Sequence, residues 1–148
     1  MVTVVHRSNF YKENETVKPK ILIVDDNLKL RETTRRILKS KFPAFRVLEA
    51  ADGKEAFTQI HNHLPDLILM DIRLPGENGL NLTRKIKDLY PKMAIIIFTS
   101  YDLPEYREAA FKNGAEFFLS KSSQDLRRLN TVVESILAGT TDADLNHP

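Results

Sequence analysis

The sequence predicts an α/β protein, a three-layer α/β/α sandwich in which helices cover both faces of a parallel sheet. Two observations carry this prediction. Apolar stretches of strand length alternate five times with segments of helical period. Most of these stretches are apolar without alternation, which is typical of strands buried on both faces. Strands and helices that alternate at this spacing are joined by right-handed crossovers, so the strands run parallel.

Five short apolar stretches are the predicted strands, and they occupy residues 21–24, 45–48, 67–70, 94–98 and 117–119. The connection after each strand has a helical pattern. In the first three connections the apolar stripes consist of Leu30, Thr34, Ile37 and Leu38, then Ala56, Phe57, Ile60 and Leu64, then Leu82, Ile86, Leu89 and Tyr90. We therefore expect one helix in each connection.

The last two helices have recognisable starts and ends. The fourth begins near Pro104, with Asp102 or Leu103 before it, and ends at Gly114. The fifth is capped by Ser122 or Ser123 and ends before Gly139. Its stripe is the strongest of the set and comprises Leu126, Leu129, Val132, Val133, Ile136 and Leu137.

Length and composition limit the number of domains and the classes of binding partner. At 148 residues there is room for one domain, predicted over residues 19–139, with a mobile extension at 1–18 and a polar tail at 140–148. A net charge of +2 is too small to argue for nucleic acid or lipid. No apolar run reaches the roughly 20 residues of a membrane span, there is no cysteine, and no secretory signal is present. We expect a cytoplasmic protein that binds neither nucleic acid nor membrane directly.

Chemistry-bearing residues follow the predicted strands. Asp25 and Asp26 follow the first strand, Asp71 the third, Thr99 the fourth and Lys121 the fifth. The carboxyl ends of parallel strands meet at one edge of a sheet, where ligands bind. Three carboxylates there repel one another unless a cation shares the site, and oxygen ligands favour Mg²⁺. The sequence therefore predicts a magnesium site at this edge.

This combination is what phosphoryl transfer to a carboxylate requires. Asp71 is the candidate nucleophile, while Mg²⁺ and the Lys121 ammonium offset charge on the phosphoryl oxygens. The Thr99 hydroxyl can donate a hydrogen bond to another oxygen. Taken singly, each residue has an ordinary structural interpretation as a turn, cap or surface group. Because all of these residues follow predicted strands and have the chemical types that the reaction needs, a functional site is the better interpretation.

Four segments together resemble the receiver domains of bacterial response regulators. They are ILIVDDN at 21–27, LILMDIRLPGENGL at 67–80, IIIFTS at 95–100 and GAEFFLSK at 114–121. The resemblance runs from about residue 20 to 139 and implies a flavodoxin-like sheet with strand order 2-1-3-4-5. It identifies Asp71 as the phosphoacceptor, Thr99 as the switch hydroxyl and Lys121 as the phosphate-binding lysine.

The resemblance also assigns the metal ligands and the partners. Asp25, Asp26 and Asp71 would bind Mg²⁺ together with the backbone carbonyl of Arg73, and Phe118 would be an aromatic switch residue, although ordinary core packing explains it nearly as well. A sensor histidine kinase or phosphotransfer protein would donate the phosphoryl group. Phosphorylation would then change the face formed by helix 4, strand 5 and helix 5, which is also a plausible homodimer interface.

Two positions depart from the commonest receiver pattern. Ser122 follows Lys121 where many receivers have proline, so a cis peptide bond, which is costly without proline, is not assured there. Arg73 places a long cation where side chains affect water attack on the acyl phosphate. The sequence leaves the lifetime of the phosphorylated form open, and also whether the chain acts alone or belongs to a longer DNA-binding regulator.

The phosphoacceptor switch would catalyse only its own phosphorylation and slow autodephosphorylation, so we do not expect an enzyme. Two other functions are alternatives to this switch. A magnesium-dependent phosphatase with an aspartyl nucleophile would carry a second acid two residues after it, where this chain has Arg73, and would need a cap region. A receiver-like module could instead bind a partner without phosphorylation. Labelling of Asp71 distinguishes the three.

Overall fold

The computed structural model describes residues 18–139, so the predicted extension, except Lys18, and the polar tail lie outside the described residues. Five strands alternate with five helices within this range. They are β1 (Lys20–Val24), α1 (Leu28–Lys41), β2 (Arg46–Ala50), α2 (Gly53–His63), β3 (Leu67–Met70), α3 (Gly79–Leu89), β4 (Ala94–Thr99), α4 (Pro104–Lys112), β5 (Phe117–Ser120) and α5 (Ser123–Leu137).

The strands form one parallel sheet in the order β2-β1-β3-β4-β5, which confirms the predicted fold. β1 lies inside the sheet, where Ile21 pairs with Val47 of β2 and with Leu67 of β3. Because all strands run the same way, all five carboxyl ends lie along one edge. The predicted site residues follow at that edge.

Helices cover both faces of the sheet and create two apolar cores. Leu22 and Val24 of β1 pack with residues of α2, α3 and α4 on one face. Ile21 and Ile23 point to the other face, where they pack with α1 and α5. Successive side chains of a strand point to opposite faces. Burial on both faces therefore explains why the strand sequences lack an apolar–polar alternation.

Four of the five helices begin with a side-chain cap. The Asn27, Asp52, Asn78 and Ser122 side chains each accept a hydrogen bond from the backbone N–H three residues on. Such caps contribute about 1 kcal/mol each. Helix α4 instead follows Leu103 and has Pro104 in its first turn. All five helix starts follow strand ends, so they lie at the edge that carries the candidate site.

Several details of the predicted elements were wrong. Strand β2 spans Arg46–Ala50 rather than 45–48, since its pairing with β1 continues to Ala50. Leu64 and Leu89 continue the apolar stripes in sequence, yet their side chains are 60% and 67% exposed. Leu64 is the left-handed residue that ends α2, and Leu89 is the last residue of α3. Both lie where the helix stops covering the sheet.

No helix among residues 18–139 is long and apolar enough to span a bilayer. His61 and His63 are in the last turn of α2.

Candidate functional site

Backbone pairing continues one residue past three strands and fixes the positions of the central site residues. The Asp25 N–H donates to the carbonyl of Ala50 at 3.0 Å, and the Asp71 N–H donates to that of Val24 at 2.9 Å. On the far side, the Lys121 N–H donates to the Thr99 carbonyl at 2.8 Å. The sheet itself therefore holds these residues at its carboxyl edge.

A single ammonium group joins the two buried carboxylates. Lys121 Nζ lies 2.5 Å from Asp25 Oδ2 and 2.9 Å from Asp71 Oδ2. The three side chains are between 4% and 11% exposed. An unpaired charge is costly when it is buried. The contact with Lys121 therefore stabilises both carboxylates in their buried positions. Two carboxylates and one ammonium leave one negative charge, which favours a further cation.

Backbone amides hold the second oxygen of each carboxylate. Asp71 Oδ1 accepts a hydrogen bond from the Ile72 N–H at 2.7 Å. Asp25 Oδ1 accepts one from the Asn27 N–H at 2.9 Å. Each carboxylate is thus oriented from two directions. A carboxylate has about four lone-pair positions, so both retain acceptor capacity for a metal or donor.

Thr99 is completely buried at the end of β4, on the strand next to β3. Its Oγ1 accepts a hydrogen bond from the Tyr101 N–H at 3.3 Å. A hydroxyl that accepts can also donate one hydrogen bond. The β4–α4 loop is therefore linked to the group that the sequence identifies as the switch hydroxyl.

Phe118 is 1% exposed and belongs to the core beneath α4. The Arg107 guanidinium of α4 lies 4.8 Å from the centre of its ring, and Arg107 also pairs with Asp102 at 3.7 Å. Phe118 therefore packs as a core residue, and a cation of the neighbouring helix covers its ring.

Arg73 stacks on an aromatic residue of the neighbouring loop. Its guanidinium carbon lies 4.0 Å from the centre of the Tyr101 ring. Arg73 follows β3 by three residues and Tyr101 follows β4 by two. The pair therefore bridges the two loops that leave the sheet beside Asp71 and Thr99.

The chemistry of the donor set fits Mg²⁺, a hard cation that binds oxygen ligands. Asp25 and Asp71 carry buried carboxylates of this kind, and the exposed Asp26 directly follows Asp25 in sequence. Across residues 18–139, however, no three His, Cys, Asp or Glu side chains already converge as a metal-binding group. The Lys121 ammonium is the cation that bridges the carboxylate pair. The three predicted acidic ligands are thus near one another in the fold, but not arranged as a finished metal site.

A network of short polar side chains shapes the loop that carries Lys121. Ser120 donates to Asp125 Oδ2 through both its N–H and its hydroxyl, each at 2.9 Å. The Ser120 hydroxyl also lies 2.9 Å from that of Ser122. The described residues contain no cis peptide bond, so the Lys121–Ser122 bond, which the sequence left open, is trans. These hydrogen bonds fix the loop without proline.

Sequence reasoning missed Gly79, the first residue of α3. Its N–H donates to the Ile72 carbonyl at 2.7 Å, and a Cβ there would lie 1.8 Å from the Asp71 carbonyl oxygen. No larger residue fits without moving the backbone of Asp71. The available signal was a glycine directly after the capping residue Asn78. Arg31, a largely buried arginine of α1, was also missed.

Comparison with known proteins identifies the family. The model of the response regulator receiver domain matches residues 21–134. The oxygen regulatory protein NreC of Staphylococcus haemolyticus is 36% identical over 127 residues, which are 85% of this chain and 58% of that protein. The chain thus spans less than two thirds of the length of this curated relative.

Solved structures agree in fold and sequence. A LuxR-family two-component response regulator from Aurantimonas sp. SI85-9A1 has a TM-score of 0.78 and 36% identity, covering 84% of this chain and 89% of its own. A CheY-like receiver domain protein from Methanospirillum hungatei JF-1 has a TM-score of 0.74 and 31% identity, with coverages of 82% and 94%. The chain therefore belongs to the response regulator receiver domain family and carries the receiver domain of a two-component response regulator.

Proposed function

We propose that this chain is a phosphorylation switch in which Asp71 accepts a phosphoryl group from a sensor histidine kinase or phosphotransfer protein. The observation that carries the proposal is the contact of the Lys121 ammonium with both Asp71 and Asp25 at the carboxyl edge of the sheet. A buried cation beside one carboxylate stabilises the charge that a phosphoryl group brings.

The transfer needs little from the protein beyond position and charge. An Asp71 oxygen attacks phosphorus, a new O–P bond forms, and the bond to the donor breaks with its electron pair leaving on the donor atom. The Ile72 N–H holds Asp71 Oδ1 in place. The Lys121 ammonium, already 2.9 Å from Asp71 Oδ2, can move to a phosphoryl oxygen.

Mg²⁺ would be held by the carboxylates of Asp25, Asp26 and Asp71 and by the Arg73 carbonyl, and it would supply positive charge at the phosphoryl oxygens. As Lys121 leaves Asp25 for the phosphoryl group, the Asp25 carboxylate loses its cation. The Asp25 carboxylate would then be compensated by a divalent ion held beside it. The two cations therefore have complementary roles.

The same step can start the conformational signal. The Thr99 hydroxyl can donate a hydrogen bond, and its oxygen accepts one from the Tyr101 N–H. Donation to a phosphoryl oxygen would move Thr99 and the β4–α4 loop, and with it α4, which packs over Phe118. The face formed by α4, β5 and α5 would then present a different surface to a partner or a second copy.

Arg73 argues against the aspartyl phosphatase. That enzyme would need an acid at this position, and Arg73 instead presents a cation stacked on Tyr101. No observation specifically favours a module that binds without phosphorylation. The switch remains the function that the geometry supports best.

Incubation with acetyl phosphate and Mg²⁺ followed by intact mass measurement tests the proposal. We expect one phosphoryl group on the wild-type chain and none on Asp71→Asn. Asp88→Asn, an exposed aspartate of α3 that pairs only loosely with Arg84, is the matched control and should label normally. A folded wild-type chain that takes no label, or equal labelling of Asp71→Asn, would contradict the proposal.

A further inference from the structure

Arg31 of α1 is a largely buried arginine beside the acidic pair, with 14% of its side chain exposed. Its Nη1 donates to the backbone carbonyl of Asp25 at 2.5 Å, and its Nε donates to Glu49 Oε1 at 3.0 Å. A guanidinium has a planar, fixed set of donors. One group therefore ties the end of β1 to β2 through side-chain contacts.

The carbonyl that Arg31 holds belongs to the peptide joining Asp25 to Asp26. Asp25 is also held through its N–H and its side chain. Asp26 is exposed, and no hydrogen bond or ion pair holds its side chain among residues 18–139. The direction of the Asp26 side chain therefore depends on the orientation of this peptide, which the Arg31 hydrogen bond fixes.

Glu49 makes this arrangement compatible with a nearby metal ion. Its second oxygen, Oε2, accepts from Arg35 at 3.1 Å, and pairing with Ile23 of β1 sets its position in the sheet. The Glu49 carboxylate offsets the positive charge of Arg31, which would otherwise repel a divalent cation. It also orients the guanidinium towards Asp25.

We propose that Arg31, oriented by Glu49, is a positioning residue that directs the Asp25 and Asp26 carboxylates to one divalent cation. This inference rests on the proposed magnesium-dependent function. Arg31 would touch neither the metal nor the phosphoryl group, and would act through the peptide between the two acids. Partners that orient metal ligands in this way typically change metal affinity by about 10- to 100-fold.

The variant Arg31→Met of the 148-residue chain tests the inference by calorimetric titration with Mg²⁺, without a phosphodonor. We expect the dissociation constant to rise by about 10-fold. Arg35→Met is the matched control. Arg35 lies on the same helix and has the same charge as Arg31, and its ion pair is also with Glu49 and not with Asp25. Its dissociation constant should stay within about twofold of wild type.

Two further variants separate orientation from charge. Arg31→Lys keeps the charge but lacks the planar donor set, so it should restore only part of the affinity. Glu49→Gln should weaken Mg²⁺ binding although it removes a negative charge, and this variant also serves if Arg31→Met does not fold. Equal affinities of Arg31→Met and Arg35→Met would overturn the inference, as would full recovery with lysine. If wild type itself binds no Mg²⁺, the proposed function fails as well.

Discussion

Lys121 is the residue whose loss should show most directly how the site balances charge. Replacing it by methionine leaves Asp25 and Asp71 buried side by side without a cation. Removing one partner of a buried ion pair typically costs about 3–5 kcal/mol. We expect a loss of this size in the free energy of unfolding of Lys121→Met, measured by urea titration at neutral pH with EDTA.

Added Mg²⁺ should recover part of that loss, because it can replace the ammonium between the carboxylates. The control is Lys87→Met, which breaks the contact of Lys87 with Glu116, a partly buried pair at the start of β4. Both variants should be less stable, but Mg²⁺ should restore only Lys121→Met. An equal response of the two variants would show that the metal does not replace Lys121.

The Arg73–Tyr101 stack should slow the loss of the phosphoryl group. Exposed cation–π contacts contribute about 0.5–1 kcal/mol, which corresponds to about 2- to 5-fold in a rate. Arg73→Ala and Tyr101→Ala should each accelerate hydrolysis of phosphorylated Asp71 by this factor, since the bridge between the loops opens to water. The double variant should lose the phosphoryl group no faster than either single variant, because both substitutions remove the same contact.

A time course of intact mass after removal of the phosphodonor measures the hydrolysis rates. Arg84→Ala, an exposed position on α3, is the control.

At the scale of elements, the start of α3 is the segment most sensitive to added volume. A methyl group at Gly79 would collide with the backbone carbonyl of Asp71. At Gly53, the first residue of α2, a methyl group would instead meet the side-chain methyl groups of Leu82, which can move more easily than a backbone atom. Both glycines directly follow a capping residue. Gly79→Ala should lower the free energy of unfolding by about 3 kcal/mol or more, and Gly53→Ala by less than about 2 kcal/mol. Urea unfolding of both variants measures the difference, and equal losses would contradict the prediction.

Elements and strand-end residues could be predicted because their signals are local. Burial on both faces makes a strand continuously apolar, and the capping residues Asn27, Asp52, Asn78 and Ser122 precede helices directly. The glycine after Asn78 marks the start of α3, but neither the close approach of Gly79 to the Asp71 carbonyl nor the contact of Arg31 with the Asp25 carbonyl could be predicted. Both depend on the distance between two loops or elements, which a one-dimensional pattern does not contain.

For the whole molecule, the shared sheet couples the two cores. Leu129 of α5 is fully buried on one face, while Tyr90 and Tyr106 pack on the other. Leu129→Ala should cost about 2–5 kcal/mol. Because both cores use the same strands, tyrosine fluorescence and far-ultraviolet circular dichroism should report one coincident urea transition. Separate transitions would show that the two helical layers unfold independently.

The candidate site joins residues that are far apart in the sequence. Lys121 contacts partners 50 and 96 positions earlier in the chain. During synthesis at about 5–20 residues per second, Asp71 emerges several seconds before the lysine that balances its charge. A growing chain would therefore hold the proposed acceptor without its counter-ion, and competence to accept a phosphoryl group would arise only once β5 and the residues just after it have been synthesised.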